Sequence, residues 1–404
     1  MITVQQATKI VQKHTPLPQS KQRNLSEASG LVLSRDYHAS EDSPRFTNSA
    51  MDGFAVRFAD IQAGVEANSR LRITEESSAG RAAQSALASG AAVRISTGAL
   101  VPSGADTIVP MEDCLIEGGK VTLVKLPLLG QFVRQQGSEY AAGAPILRKG
   151  EELTPARIAL AAQHGLAQVE VFAPPAVALL STGNELVNVN EIPVGTQIRN
   201  ANVPMLAAAI QQVGASLVLT AHAPDDFEQV REALKKAASV ADMVITTGGA
   251  SVGEHDFIKQ AAQALGFETI FWRVRQKPGK PMFFAKRLHE GRTTLLFGLP
   301  GNPVSTLMTF LYYVQPTLEA MMGKSTSQRS LQAILSVDLA TMHGRAEFVR
   351  VRLENEAGVP FPTAIPLPKQ DSNMLTSMTE ADGFVFLDVE TSVGAGARVE
   401  VVRL

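Results

Sequence analysis

The sequence predicts a multidomain protein that joins an α/β domain, built on a mainly parallel sheet, to an inserted β-rich domain, an elongated helical segment and a C-terminal β-barrel. Three observations carry this expectation. Apolar runs alternate with helical segments over residues 173–323; short strand-like runs divided by Gly, Pro and Ser fill 45–138; and the strand texture returns over 324–404. At 404 residues the chain also exceeds the ~250–300 over which one core keeps growing, so these runs belong to several cores.

Taken in order, Thr3 can cap TVQQATKIVQKH, where Val4, Ala7, Ile10 and Val11 recur at helical spacing, and LSEASGLVLSRD predicts a second helix. Residues 139–172 return to helix, with PARIALAAQHG stopping at Gly165, a residue suited to the left-handed position after a helix end. Grouping 1–44 with 139–172 gives one elongated helical dimerisation domain and makes 45–138 an insertion. In 173–323 the strands read AVALLS, SLVLTAH, DMVITT, ETIFWRV, MFFAK and TTLLFG, with helices from Val203, after Asp225 and from His255. QAILSV, AEFVRVRL, FVFLDV and ARVEVVRL in 324–404 predict the small barrel.

Composition narrows the function. Hydrophobic residues make up 45%, charged residues 19%, and the formal net charge is −2, so nothing global drives the chain toward nucleic acid or an anionic membrane. Any anion site must be a local cluster of basic groups, and the partner is expected to be a small molecule. Cys114 is the only cysteine, which excludes internal disulfides and Cys-based zinc clusters. The histidines, His14, His38, His164, His222, His255, His289 and His343, show no i, i+4 pairing for a metal. The N-terminus lacks an apolar leader and no apolar run reaches 18 residues, so a cytoplasmic location is expected.

In open α/β sheets ligands lie beyond the carboxyl ends of the strands. Three of those ends are unusual here: Ser181-Thr182-Gly183-Asn184-Glu185, then Thr246 to Gly253 with Gly248, Gly249, Ser251 and Gly253, then Gly298 to Ser305 with Pro300, Gly301, Asn302, Pro303 and Ser305. Glycine admits positive φ and close backbone approach, and exposed amides and hydroxyls bind anions. Asn302 can cap the next helix with Pro303 in its first turn. Lys277-Pro278-Gly279-Lys280-Pro281 presents two ammonium groups on a rigid turn, which suits a dianion. Glu185, Asp225 and Asp256 add carboxylates, which make sense beside phosphate when a divalent cation bridges them, although Asp225 also suits a helix N-cap. Outside this domain, Asp52 stands in SAMDG, Thr97 in RISTG, Arg345 and Arg350 in GRAEFVR, and Ser372 in DSN; the arginines and the hydroxyl suit an oxyanion.

The ordered set NSAMDGFAV, RISTGALVPSGADTIV, STGNEL, TTGGASVGEHDF, KPGKP, GLPGNPVS and GRAEFVR resembles the MoeA family, which includes the gephyrin E domain, through essentially the whole chain. The resemblance implies a homodimer with composite clefts and a molybdenumtransferase reaction. In it, molybdate and adenylylated molybdopterin yield the molybdenum cofactor and AMP with the help of Mg²⁺ or another divalent ion. It also implies transient contact with the adenylyltransferase and with cofactor-accepting enzymes. Under it, Lys277, Lys280, Ser305, Arg350 and Ser372 would hold molybdate, while the glycine-loop amides and Ser251 would take phosphate oxygens. Glu185, Asp225 and Asp256, with Asp52 from the partner subunit, would hold the metal and orient the adenylate, and Thr97 would be a secondary contact. The chain departs from the family pattern at Thr47, Asn184 and Asn200, each neutral where an acid is usual, and at Ser138-Glu139, Asn373 and Arg273. Two other readings are the preceding adenylylation step and a non-catalytic scaffold; the β domains with the KPGKP and FVR cations disfavour the first, and the lack of an interaction tail disfavours the second.

Overall fold

A computed structural model describes residues 1–62, 70–248, 257–325, 330–341 and 344–404. The chain divides into two compact units: one of Met1–Ser34, Gly150–Thr154 and Gln168–Leu404, the other of Arg35–Lys149 and Pro155–Ala167.

The larger unit is organised by a six-stranded sheet ordered Ser216–Ala223, Ala176–Thr182, Met243–Thr247, Arg292–Leu299, Phe283–His289, Glu268–Trp272. The first four strands are mutually parallel and only Phe283–His289 runs against them, antiparallel to both of its neighbours, so the sheet is mainly parallel, as the alternating pattern predicts. Strand side chains alternate between faces. Val177 and Leu179 therefore join Leu206, Ile210, Phe297 and Val304 in the core on one side, whereas Ala178 and Leu180 join Val230, Leu234, Val244 and Ile258 on the other. Each buried Leu or Val contributes roughly 1.5–3 kcal/mol, enough for the two layers together to fix where every strand ends. The second strand in sequence, Ser216–Ala223, lies on one side of Ala176–Thr182 and the third, Met243–Thr247, on the other, which creates the switch-point crevice where such sheets bind ligands.

Thr3 caps Val4–His14 as expected, in a reciprocal box with Gln6, and Val4, Ala7 and Val11 pack into the first of those cores. The helical reading of the flanks holds for Val4–His14 and for Pro155–Gln163, which ends before Gly165 at φ +70°. It fails for LSEASGLVLSRD. Only Leu25–Glu27 forms a short 3₁₀ turn; Gly30 takes φ +75°, and Val32 and Leu33 bridge to Glu152 and Val171. Sheet pairing there overrides local helical periodicity. Residues 139–154 are likewise without α-helix, and Gln168–Phe172 is a strand paired antiparallel with Ser20–Asn24.

Ser330–Leu335, Ala346–Glu354, Thr363–Pro366, Gly383–Leu387 and Arg398–Arg403 close into a five-stranded barrel around Leu335, Val351, Val385 and Val401. The short strand Gln276–Lys277 adds to its rim, with Gln276 opposite Ala346 and Lys277 opposite Glu347. The smaller unit holds its own six-stranded sheet, with Ala55, Val93 and Ile108 on one face and Phe54, Ala92 and Val109 on the other.

Candidate functional site

At the carboxyl edge of the large sheet a cavity of about 590 Å³ opens. Of the residues predicted from sequence, Glu185, Gly248, Lys277, Lys280, Pro300, Gly301, Asn302, Ser305 and Ser372 line it. Residues of the first and third loops and Gly248 at the start of the second thus line one cavity, together with the KPGKP turn and the DSN segment.

Hydrogen bonds among the loops explain why they hold together. Asn202 donates from Nδ2 to Thr247 Oγ1 at 2.8 Å and to the Gly301 carbonyl at 2.7 Å. Thr306 Oγ1 donates to the Pro300 carbonyl at 2.6 Å. Gly248, at φ +85°, has no room for a side chain, because a Cβ would collide with the Thr182 carbonyl. This glycine is required both for its dihedral and for the close approach of two strand ends. Asn302 occupies the N-cap position of Pro303–Thr309, but its side chain makes no capping bond. Its Nδ2 instead donates to Ser372 Oγ at 2.9 Å, tying the GLPGNP loop to the DSN segment. Pro303 sits at the first turn, as its sequence context predicts.

The cations divide in a way the sequence did not disclose. Lys277 is 39% exposed, with Nζ 3.9 Å from Glu347, and shares the cavity wall with Lys280. Arg345 also lines the cavity. Arg350 is fully buried instead, and burial pushes its pKa down. Its Nη2 donates to the carbonyls of Lys369 and Asp371 at 3.2 and 3.3 Å, and the Gln370 side chain bonds its backbone in both directions. Arg350 therefore shapes the segment that presents Ser372 without standing on the cavity wall. Arg345 precedes the strand Ala346–Glu354 and Arg350 lies within it, so the two guanidiniums are placed by different backbone and do not act as one group.

The acids are arranged differently. Glu185 is exposed on the wall, and Asp225 lies one loop away. The helix Phe227–Val240 is capped by Asp226, whose carboxylate accepts from the Gln229 amide at 2.9 Å, so Asp225 is released from the capping role its position suggested. Asp225 pairs instead with Asn184: its carboxylate accepts from the Asn184 amide at 3.3 Å, and its own amide donates to Asn184 Oδ1 at 3.1 Å. The neutral residue at 184 makes this contact without setting two carboxylates against each other. Asn200 also uses its amide fully, accepting from Val203 N and donating to Ser181 Oγ, the second of which an aspartate could not do. Gly249, Ser251, Gly253 and Asp256 lie outside the described residues.

In the smaller unit, Asp52 stands at the turn before strand Gly53–Val56. Its Oδ1 accepts from the Thr97 amide at 2.6 Å and the Thr97 hydroxyl at 3.0 Å, and these two bonds hold its carboxyl below the ordinary carboxylate value. Gln276 and Gln370 are cavity residues with no sequence signal, since a lone glutamine carries no spacing pattern, and Asp371 lines the cavity as part of the DSN segment.

Clustered cations, hydroxyls and helix-turn amides can hold a small dianion, while exposed carboxylates beside them suit a hard cation. Comparison with known proteins agrees along the whole chain. Residues 2–165 match the MoeA N-terminal region (domain I and II), 178–320 a probable molybdopterin binding domain, and 332–404 the MoeA C-terminal region (domain IV). The molybdopterin molybdenumtransferase of Haemophilus influenzae is 33% identical over 99% of this chain and 98% of its own length. Molybdopterin molybdenumtransferase 2 of Mycobacterium tuberculosis is 36% identical over 93% of each. A crystal structure of the molybdopterin biosynthesis MoeA protein of a Pyrococcus superposes with a TM-score of 0.83 at 30% identity, covering 100% of this chain and 99% of that one.

Proposed function

This chain belongs to the MoeA family, and on that premise we propose that it is a molybdopterin molybdenumtransferase. It takes molybdate and adenylylated molybdopterin, delivers molybdenum to the dithiolene sulfurs and releases AMP. One observation carries the reading: a single cavity in which Lys277, Lys280, Ser305, Arg345 and Ser372 share the wall with Glu185. The cations and hydroxyls can thus hold a dianion, and a divalent cation held by the carboxylates would accommodate a phosphoanhydride beside it.

Lys277 and Lys280 attract molybdate, and the hydroxyls of Ser305 and Ser372 donate to its oxygens, offsetting the loss of hydration. Arg350 acts from behind by holding residues 369–371. The glycine-loop amides, with Gly248, Gly249, Ser251 and Gly253, bind the pterin phosphate, and the Pro300-Gly301-Asn302-Pro303 turn closes the wall. Glu185, Asp225 and Asp256 are the carboxylates that would hold Mg²⁺. Glu185 and Asp225 offer the oxygen donors that ion prefers, with Asp225 tied to Asn184, whereas Asp256 lies outside the described residues. When bound, the ion would neutralise charge on the phosphoanhydride.

The protein acts as a cytoplasmic homodimer in this reading, with the partner subunit's Asp52 and Thr97 serving the adenylate side of each cavity. No helix among the described residues is long and apolar enough to cross a membrane. Four working domains are proposed: 1–44 with 139–172, 45–138, 173–323 and 324–404. Transient docking to the adenylyltransferase upstream and to cofactor-accepting enzymes downstream follows from the instability expected of the intermediates.

The test is direct. Purified protein given Mg²⁺, adenylylated molybdopterin and molybdate should release AMP in a molybdate-dependent manner and yield a cofactor that reconstitutes an apo-molybdoenzyme. AMP release indifferent to molybdate, or the absence of active cofactor, would sink the reading.

A further inference from the structure

Behind the lysine turn lies a buried polar pair, Gln276 and Tyr313, whose glutamine also borders the cavity but was given no role above. Gln276, the residue before Lys277, is fully buried, and both ends of its amide are engaged. Its Nε2 donates to the Gly279 carbonyl at 3.0 Å, and its Oε1 accepts from the Tyr313 hydroxyl at 2.6 Å. Tyr313 is 2% exposed and stands in the π-helical turn Phe310–Val314, which continues the helix Pro303–Thr309 that carries Ser305. Such turns recur at functional sites.

The contact falls at the centre of the turn. Gly279 adopts φ +89°, and a Cβ there would lie 2.5 Å from Thr309 Cγ2 and 2.8 Å from Gln276 Nε2. The lysine turn is thus pressed between the Ser305 helix and the glutamine amide. Because the phenol hydroxyl has its proton to give, it fixes which end of the amide faces Gly279. An apolar side chain at 276 would fill the core without needing a partner. A fully satisfied buried polar pair instead specifies one arrangement.

We infer that Gln276 and Tyr313 are positioning residues for the proposed reaction: Tyr313 orients the Gln276 amide, and the amide locks the Lys277–Lys280 turn against the Ser305 helix. The cations are then set for a tetrahedral dianion before it arrives, so no ordering of the turn is charged against binding. This inference rests on the molybdate reading of the cavity.

The experiment compares Gln276→Leu, Tyr313→Phe and the double variant with the parent protein. It reads KM for molybdate, KM for adenylylated molybdopterin, kcat, melting temperature, and hydrogen exchange at the amides of Lys277, Gly279 and Lys280 by mass spectrometry. Gln276→Leu should raise the molybdate KM about tenfold, leave the pterin KM within about twofold, and speed exchange of those amides about tenfold. Tyr313→Phe should do the same to a smaller degree. The double variant should regain part of the melting temperature lost by Tyr313→Phe, since no buried carbonyl oxygen at 276 is then left without a donor, and should keep the molybdate defect of Gln276→Leu. A molybdate KM that recovers with the melting temperature, equal loss of both substrates, or unchanged loop exchange in Gln276→Leu would each overturn the inference. Should the parent show no molybdate dependence, the functional reading fails, and loop exchange alone still decides whether the pair holds the turn.

Discussion

The two sides of the cavity are braced by different means. Lys277 and Lys280 stand on a turn fixed from inside the core, by a buried amide, a buried phenol and a helix packed against Gly279. Glu185 and Asp225 stand on exposed loops joined through the Asn184–Asp225 pair. Under the proposed function the difference follows from what each side would hold. A polyoxyanion offers oxygens to whatever donors are present and imposes little on them, so the protein must supply the geometry. Mg²⁺ prefers its own near-octahedral geometry and keeps several waters, so in that reading carboxylates on exposed loops would suffice.

Substitutions on the two sides should therefore break different dependences. The largest effect belongs to Lys277→Ala. It should lower kcat/KM for molybdate about a hundredfold, or about 2.7 kcal/mol, while binding of adenylylated pterin changes little. Steady-state kinetics with each substrate varied in turn would check this, and equal loss of both would erase the division of labour. Glu185→Gln should be milder, raising the Mg²⁺ concentration for half-maximal rate about tenfold at an unchanged molybdate KM. A shifted molybdate KM would mean that the acid side also sets the anion.

The smallest effect concerns Asp52, whose carboxyl is held below its ordinary value by the amide and then the hydroxyl of Thr97. A carboxylate depressed in this way stays ionised above its unfolded value and is lost only as pH falls through its lowered one. Thr97→Val removes the hydroxyl and keeps the amide, so the acid limb of kcat/KM should move upward, partway back to the ordinary carboxylate range. A pH–rate profile would reveal it, and an unmoved limb would show that the ionisation of Asp52 is not felt in the reaction.

How much of this was legible in sequence follows the same division. The loops at the strand ends were readable because glycine and proline announce backbone conformations that other residues resist, and the KPGKP turn because its prolines fix it. Asp226 took the cap expected of Asp225, since two adjacent acids offer sequence no means of choosing between them. Arg345 and Arg350 both suit an oxyanion by sequence, yet one lines the cavity and the other is buried. Gln276 gave no sign at all: its role depends on Tyr313, far along the chain, and only the packed fold brings the two together. LSEASGLVLSRD does not form the helix its periodicity suggests, because it yields to bridges with Glu152 and Val171, partners still more distant in sequence.

The central claim, that the internally braced lysine side holds molybdate, is most directly tested by anomalous diffraction at the molybdenum edge from crystals of the protein grown with molybdate and Mg²⁺. The account predicts a molybdenum peak bounded by Lys277, Lys280 and Ser305. A peak beside Glu185 and Asp225, or elsewhere on the surface with the lysine turn unoccupied, would contradict it.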